Sequence, residues 1–292
     1  MKKFFVLTVV YNTSLYNSLT INGVLEYLKR KANKGIEIEK FFVFDNSTDE
    51  NLQQLNNIDA EKNNIEYLSC NQNIGLAKAY NETIKVINDR YPNSDNWLMI
   101  TDQDTYLNDH LFVLLEEAIS NGNADIYIPR VQGKKHMISP LKVNRKKNRD
   151  SFDLPDQLPK GLLKGRYTAI NSCSVYRVSL LNQFKGFNEK FPLDYLDRYM
   201  YYLFNKSGAK LYCLDIDIKH ELSFDSFQNV KFPRYKSFLV SQMNYVNITT
   251  EGKKLERYSN LLHNFYWHAR RTLLNRQVGL FIKGSIVFVR NL

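Results

Sequence analysis

Two carboxylates one residue apart, Asp102 and Asp104, stand in the run Ile100-Thr-Asp-Gln-Asp-Thr105, where an apolar stretch gives way to polar residues. In an extended chain alternate side chains point the same way, so both acids face one side. Hard oxygen ligands at that spacing suit Mg²⁺ or Mn²⁺ shared with substrate phosphates. The same pattern also serves as a turn or a helix cap, so its meaning depends on its surroundings. In Phe44-Asp45-Asn46-Ser47-Thr48-Asp49, Asp45 follows a second apolar run. There it can accept hydrogen bonds from a nucleobase or ribose, or form an Asx turn with Ser47 or Thr48 capping the next helix. Asn71-Gln-Asn-Ile-Gly-Leu-Ala-Lys-Ala-Tyr-Asn81 sets Gly75 at a helix start whose amides and dipole suit an anion, although a plain helix start accounts for it as well. Asp194 and Asp197 open another helical stretch, as caps or as a base for a hydroxyl proton.

The elements that must position these residues follow from hydrophobic periodicity. Lys3 to Tyr11 reads as a buried strand and Ser14 to Lys34 as an amphipathic helix carrying Leu15, Leu19, Val24, Leu25 and Leu28. Strands are predicted over Ile36 to Phe44, Ile65 to Ser69 and Trp97 to Thr101, with helices over Asn51 to Ile58 and Gly75 to Arg90. That alternation predicts a mostly parallel sheet flanked by helices, with ligands at the carboxyl ends of its strands. The rule gathers Tyr11, Asn12, Asp45, Asn46, Asn71, Asn73, Asp102 and Asp104 on one edge. From Val131 to Arg166 the chain turns basic, with Lys142, Arg145, Lys146 and Arg149 among others, and reads as a long loop over the site or a solvated charge run. Beyond Pro233 it is helical and basic.

In this order, and with Val9-Val-Tyr-Asn12 before them, these segments resemble family 2 glycosyltransferases of the GT-A fold. The likeness is closest to the bacterial rhamnosyltransferase-like branch, whose fourth strand ends in Asp-Gln-Asp. It continues through Asn171-Ser-Cys-Ser174, Gly186-Phe-Asn-Glu189, Phe191-Pro-Leu-Asp-Tyr-Leu-Asp197 and His220, over residues 3–222. The resemblance implies a catalytic domain at 1–225, with a nucleotide-binding half to 105 and an acceptor-binding half after it, and a helical extension at 226–292. It implies nucleotide contacts at Val10, Tyr11, Asn12, Asp45, Asn73, Gly75, Lys78 and Asp102, with Asp45 at the base. Mn²⁺ or Mg²⁺ falls to Asp102, Asp104 and His220, and the catalytic base to Asp197 with Asp194 as its rival. The donor is then a dTDP- or UDP-sugar and the acceptor a glycan, lipid-linked in one reading, of bacterial cell-surface polysaccharide synthesis. Two departures stand out: Cys173 occupies a position where the family commonly has Gly, and Arg198-Tyr199 replaces an acidic residue after the base.

Composition sets the outer limits. The 292 residues, 43% of them hydrophobic, suffice for one large core with a smaller appendage. Forty Lys and Arg against thirty Asp and Glu leave a formal charge of +10, which draws anions. A nucleic-acid-binding protein or a membrane-surface protein on a degenerate transferase fold is the competing class. Acids at the ligand edge argue against nucleic acid. Cys70, Cys173 and Cys213 lie far apart in no metal-ligand spacing, as expected of buried bystanders in a reducing compartment. The Met1 to Val10 run reads as a strand rather than a secretory leader, and no stretch is long and apolar enough to span a bilayer. A cytoplasmic protein is expected. The C-terminal mixture of Arg270, Arg271, Arg276, Lys283 and Arg290 with aliphatic and aromatic residues suits either an anionic bilayer surface or packing on the domain.

Overall fold

The computed structural model describes residues 2–30, 35–92, 95–122, 124–134, 136–146, 148–220 and 227–290. Phe-Phe-Val-Leu-Thr-Val-Val forms β1 (Phe4–Val10), buried along its whole length as a central parallel strand must be. It pairs in parallel with β2 (Ile38–Asp45) and with β4 (Trp97–Asp102), while β3 (Glu66–Ser69) lies outside β2. The crossovers are α1 (Leu19–Lys29), α2 (Glu50–Lys62) and α3 (Leu76–Arg90), each starting from a defined cap. Ser18 accepts the Ile21 amide, and Asp49, rather than Ser47 or Thr48, accepts the amides of Asn51 and Leu52. The predicted first helix is shorter at its start because a 3₁₀ turn at Leu15–Asn17 precedes the Ser18 cap, and its predicted end at Lys34 lies outside the described residues.

The helix α4 (Asp109–Ser120) leads to β5 (Ile126–Gln132) and then to a region that is strand, not loop. Here β6 (Met137–Ser139) pairs with β5, and β7 (Leu141–Lys146), β8 (Arg149–Asp153) and β10 (Tyr167–Thr168) form a separate three-stranded sheet. β9 (Gly161–Leu162) borders β12 (Leu211–Lys219). The basic residues expected to be a solvated run are paired across the hairpin, Lys142 facing Asp153 and Arg145 facing Asp150. β11 (Ser174–Arg177) enters the main sheet antiparallel between β4 and β5, giving the order β3-β2-β1-β4-β11-β5-β12-β9. One sheet therefore runs through the boundary expected near residue 105.

Alternation along the strands feeds a core on each face. Phe5, Leu7, Phe42 and Phe44 pack with Tyr80 and Ile84 of α3, together with Met200 and Phe204 of α6 (Leu196–Ser207), which follows the short α5 (Val178–Gln183). Phe4, Val6, Phe41 and Val43 pack with Val24 of α1 and Leu111 and Leu115 of α4. The C-terminal helices α7 (Phe232–Thr249), α8 (Lys254–Leu274) and α9 (Val278–Arg290) bury a third cluster of their own, including Tyr235, Met243, Leu261 and Phe288. All three cysteines are free, and Cys70 is exposed rather than buried.

Candidate active site

The carboxyl ends of β1, β2, β3 and β4 meet on one edge, and their polar residues hold one another. The Asn12 amide donates to Ser47 Oγ at 2.7 Å, and Asn12 Oδ1 accepts from the Thr48 amide at 3.4 Å, with Asn12 itself at φ 49°. Val10 accepts the Asn46 amide through its carbonyl, and the half-exposed Tyr11 donates its amide to Gln103 Oε1 at 2.8 Å. Asp45 is fully buried: Oδ1 accepts the Ser47 amide, and Oδ2 accepts Asn56 Nδ2 at 2.7 Å and the Tyr67 hydroxyl at 2.9 Å. Burial, followed by the Asp45 charge, pushes the Tyr67 hydroxyl well above its usual range. Both carboxylate oxygens are thus engaged within the protein, which sets Asp45 behind the surface rather than facing a ligand.

The start of α3 is likewise engaged. Gly75 donates its amide to Asn73 Oδ1 at 2.9 Å, and Leu76 donates to the Pro192 carbonyl at 2.6 Å. Those first amides therefore meet protein carbonyl groups instead of an open anion site. Gly75 is needed there for another reason: at φ 82°, a Cβ would stand 3.0 Å from both Cβ and O of Pro192. Lys78 is exposed one turn on.

Asp102 and Asp104 leave the end of β4 toward solvent, with side chains 30% and 56% exposed. Because β12 runs parallel to β5, with Lys219 opposite Gln132, its end brings His220 to this same edge, where the His220 amide donates to the Gln132 carbonyl at 3.0 Å. His220 Nε2 lies 3.9 Å from Asp102 Oδ2, and Nδ1 lies 3.6 Å from Asp104 Oδ1. Nδ1 is buried without a hydrogen-bond partner among the described residues, a cost that a bound ion would remove. Among the described residues no three His, Cys, Asp or Glu side chains close around a point. A cation here would complete its shell with substrate oxygens, as Mg²⁺ and Mn²⁺ commonly do. The donor set, two carboxylates and an imidazole, fits such an ion.

The antiparallel β11 starts at this edge, so Asn171-Ser-Cys-Ser174 belongs to it. Ser172 donates its hydroxyl to Asp102 Oδ2, and Cys173, fully buried, sits at φ 60°. That left-handed conformation favours glycine and accounts for the expected Gly. Tyr80 is pushed far up by burial and then by the charges of Asp102 and Asp197, so it lies within reach of both carboxylates. Asp197, in the first turn of α6, accepts the Arg198 amide at 2.6 Å. Desolvation raises its pKa to about 6 against the pull of Arg198, with Asp102 and Asp194 adding to the rise. Asp194 is held differently, its two oxygens each accepting from one arm of Arg234 on α7. Neither Arg234 nor the aromatic residues of α7 and α8 nearby carry a sequence pattern that marks them for a site.

A mixed α/β sheet with acids at its strand ends and a separate carboxylate beside them defines a nucleotide-sugar-binding fold of the GT-A type. The chain belongs to glycosyl transferase family 2, whose model matches residues 5–184. Among solved structures it is similar to S. aureus TarS 1-349 in complex with UDP-GlcNAc, at 15% identity and a TM-score of 0.56, over 99% of this chain and 81% of that one. It is also similar to GalNAc-T7 with UDP, GalNAc and Mn²⁺, at 12% identity and a TM-score of 0.54, over 95% and 58% of the two chains. At these identities the likeness is one of fold. The chain spans 66% of a TarS 1-349 chain with UDP and 40% of a longer TarS chain. No curated protein matches the sequence.

Proposed function

We propose that this chain is an inverting glycosyltransferase that moves a hexose, rhamnose-like on the Asp-Gln-Asp resemblance, from a dTDP- or UDP-sugar to a glycan of bacterial cell-surface polysaccharide synthesis. The observation that carries the reading is the meeting of Asp102, Asp104 and His220 at the strand-end edge with Asp197, a carboxylate of raised pKa, close by. Mn²⁺ or Mg²⁺ held by Asp102, Asp104 and His220 would supply positive charge for the departing diphosphate. Asp197 takes the proton of the acceptor hydroxyl as its oxygen bonds to the anomeric carbon and the bond from that carbon to the diphosphate breaks. Asp194 is the weaker choice of base because Arg234 occupies both of its oxygens. Ser172 fixes the orientation of Asp102. Tyr11, Asn12, Asn73 and Lys78 border the nucleotide, and Asp45 acts from behind by holding the Ser47 turn.

A second observation favours a place for the reaction. No helix among the described residues is long and apolar enough to cross a membrane. After Glu256 the sequence contains no acid, while Arg257, Arg270, Arg271, Arg276, Lys283 and Arg290 carry positive charge. One face of α9 packs inward through Leu280, Gly284, Val287 and Phe288, and the other exposes Val278, Ile282, Ile286 and Val289 at helical spacing. Such a face suits peripheral attachment to an anionic membrane carrying a lipid-linked acceptor. The test of the transferase reading is stabilisation of the full chain by UDP or dTDP with Mn²⁺, then transfer from a panel of nucleotide sugars. No stabilisation by either nucleotide would sink it.

A further inference from the structure

A cavity of about 860 Å³ lies between β8, the first turn of α6 and the facing sides of α7 and α8, with Asp197 in its wall. Most acids around it are neutralised within the protein. Asp150 pairs with Arg145 and Arg166, Asp153 with Lys146 at 3.0 Å, and Asp194 with Arg234. Two cations of the same wall are not. Arg149 and Arg198 make no ion pair and no side-chain hydrogen bond among the described residues. Arg198 is held by packing, its guanidinium 4.1 Å above the Phe152 ring and 5.1 Å from that of Tyr195. Stacking fixes the plane of a guanidinium and leaves the N–H groups at its rim unspent, the geometry that receives a phosphate or carboxylate through two bonds at once. Arg198 follows Asp197 directly, so an anion on its rim lies one residue from the proposed base. Trp267, 45% exposed, supplies an aromatic face to the same cavity.

We propose that the acceptor carries an oxyanion, a phosphate or a carboxylate, and that Arg149 and Arg198 bind it while an acceptor hydroxyl meets Asp197. This rests on the transferase reading for its role but not for its chemistry. A neutral glycan would leave both guanidiniums without a hydrogen-bonded anion in the wall, whereas an anionic one satisfies them and is oriented by them. The donor diphosphate is the competing anion, and it belongs at the strand-end edge with Asp102 and Asp104.

Trp97 is fully buried, so quenching of tryptophan fluorescence by a small ligand reports the cavity through Trp267. The full chain is titrated with glucose, glucose 6-phosphate and glucuronate. We expect saturable quenching by one or both anionic sugars, none by glucose over the same range, and no signal in Trp267→Phe. The stronger of the two anions identifies phosphate or carboxylate as the group recognised. Arg198→Gln should raise the half-saturating concentration about tenfold or more, Arg198→Lys by less, and Arg149→Gln by several-fold, with UDP affinity in Mn²⁺ unchanged. Equal response to the three sugars overturns the proposal, as does an Arg198→Gln variant that loses UDP affinity and keeps the anionic sugars. Anion selectivity in a chain that UDP and Mn²⁺ do not stabilise upholds the oxyanion site and overturns the transferase reading instead.

Discussion

The strand-end edge and the cavity beside it hold charge in opposite ways. At the edge, Asn12, Asp45, Ser47 and Asn73 are tied to backbone amides or to one another, and Asp102 and Asp104 are directed outward from a buried strand. In the cavity wall the side chains come from β8, α6, α7 and α8 among other elements, and Arg198 is placed by stacking on ring faces rather than by hydrogen bonds of its side chain. Geometry set by backbone hydrogen bonds survives most surface substitutions, whereas a wall of side chains changes its preference with a single replacement. The edge is thus suited to a chemistry shared across a family, and the cavity to the choice of acceptor.

The sharpest way to break this contrast is at the edge. Asp104→Ala should lower Mn²⁺-dependent transfer by about 10²- to 10³-fold and abolish metal-dependent UDP binding, since the ion loses a direct anionic ligand. Full activity in the presence of a chelator would remove the metal from the reaction. Circular dichroism should show the fold unchanged, because Asp104 is more than half exposed.

Asp197→Asn should cut kcat about 10²-fold and leave UDP affinity intact. Asp194→Asn should chiefly cost about 1–3 kcal/mol of stability through the Arg234 pair. If the two variants exchange these signatures, the base is Asp194. With its pKa raised to about 6, Asp197 is ionised above that pH, so log kcat should fall with unit slope as pH drops through about 6. The stability term has the opposite sign. A raised acid binds its proton more tightly folded than unfolded, so ionising it costs stability as pH rises from the unfolded value of 3.8 to about 6. Asp197→Asn should therefore melt higher than the parent chain above pH 6 and not below pH 4.

A milder perturbation tests the link between the two regions. Gly75→Ala strains a positive φ and crowds Pro192, at a cost of about 1–3 kcal/mol. Because Pro192 precedes the segment that carries Asp197, melting temperature and kcat should both fall while UDP affinity moves less. An unchanged kcat would mean that the base is positioned independently of α3. The smallest expected effect is that of Arg290→Gln on binding to anionic vesicles: about fivefold weaker, the ~1 kcal/mol of one cation near a charged surface, and less at high salt. Equal sedimentation with neutral and anionic vesicles would reduce the tail to packing.

The first hundred residues are largely legible because β1 and β4 are nearly continuous apolar runs and α3 carries a periodic apolar stripe; Trp97–Asp102 and Leu76–Arg90 fall within a residue of their predicted bounds. The β7–β8 hairpin is not, because Leu-Lys-Val-Asn-Arg-Lys is half exposed on both faces and gains its order from Arg145 pairing with Asp150 and Lys146 with Asp153 across the turn. A basic half mirrored by an acidic half was the available signal. Asp102, Asp104 and His220 could be named in advance, but the inward turn of Asp45 toward Asn56 and the capture of the Leu76 amide by Pro192 depend on partners 11 and more than 100 residues away. The cavity was illegible for the same reason, since Phe152, Arg198 and Trp267 share no spacing in sequence.

The insertion of β11 between β4 and β5 also bears on how the chain is made. Once β4 has been synthesised, its outer edge stays open until Ser174 is made, 72 residues after Asp102 (174 − 102). At 5–20 residues per second that interval is roughly 4–14 s. Trp97, Leu98, Met99 and Ile100 are all fully buried in the finished sheet, so during those seconds the nascent chain shows an apolar strand edge of the kind that templates pairing with a neighbour. The yield of this chain in a crowded cell should therefore respond to how quickly the ribosome passes residue 174, as well as to the stability of the sheet once closed.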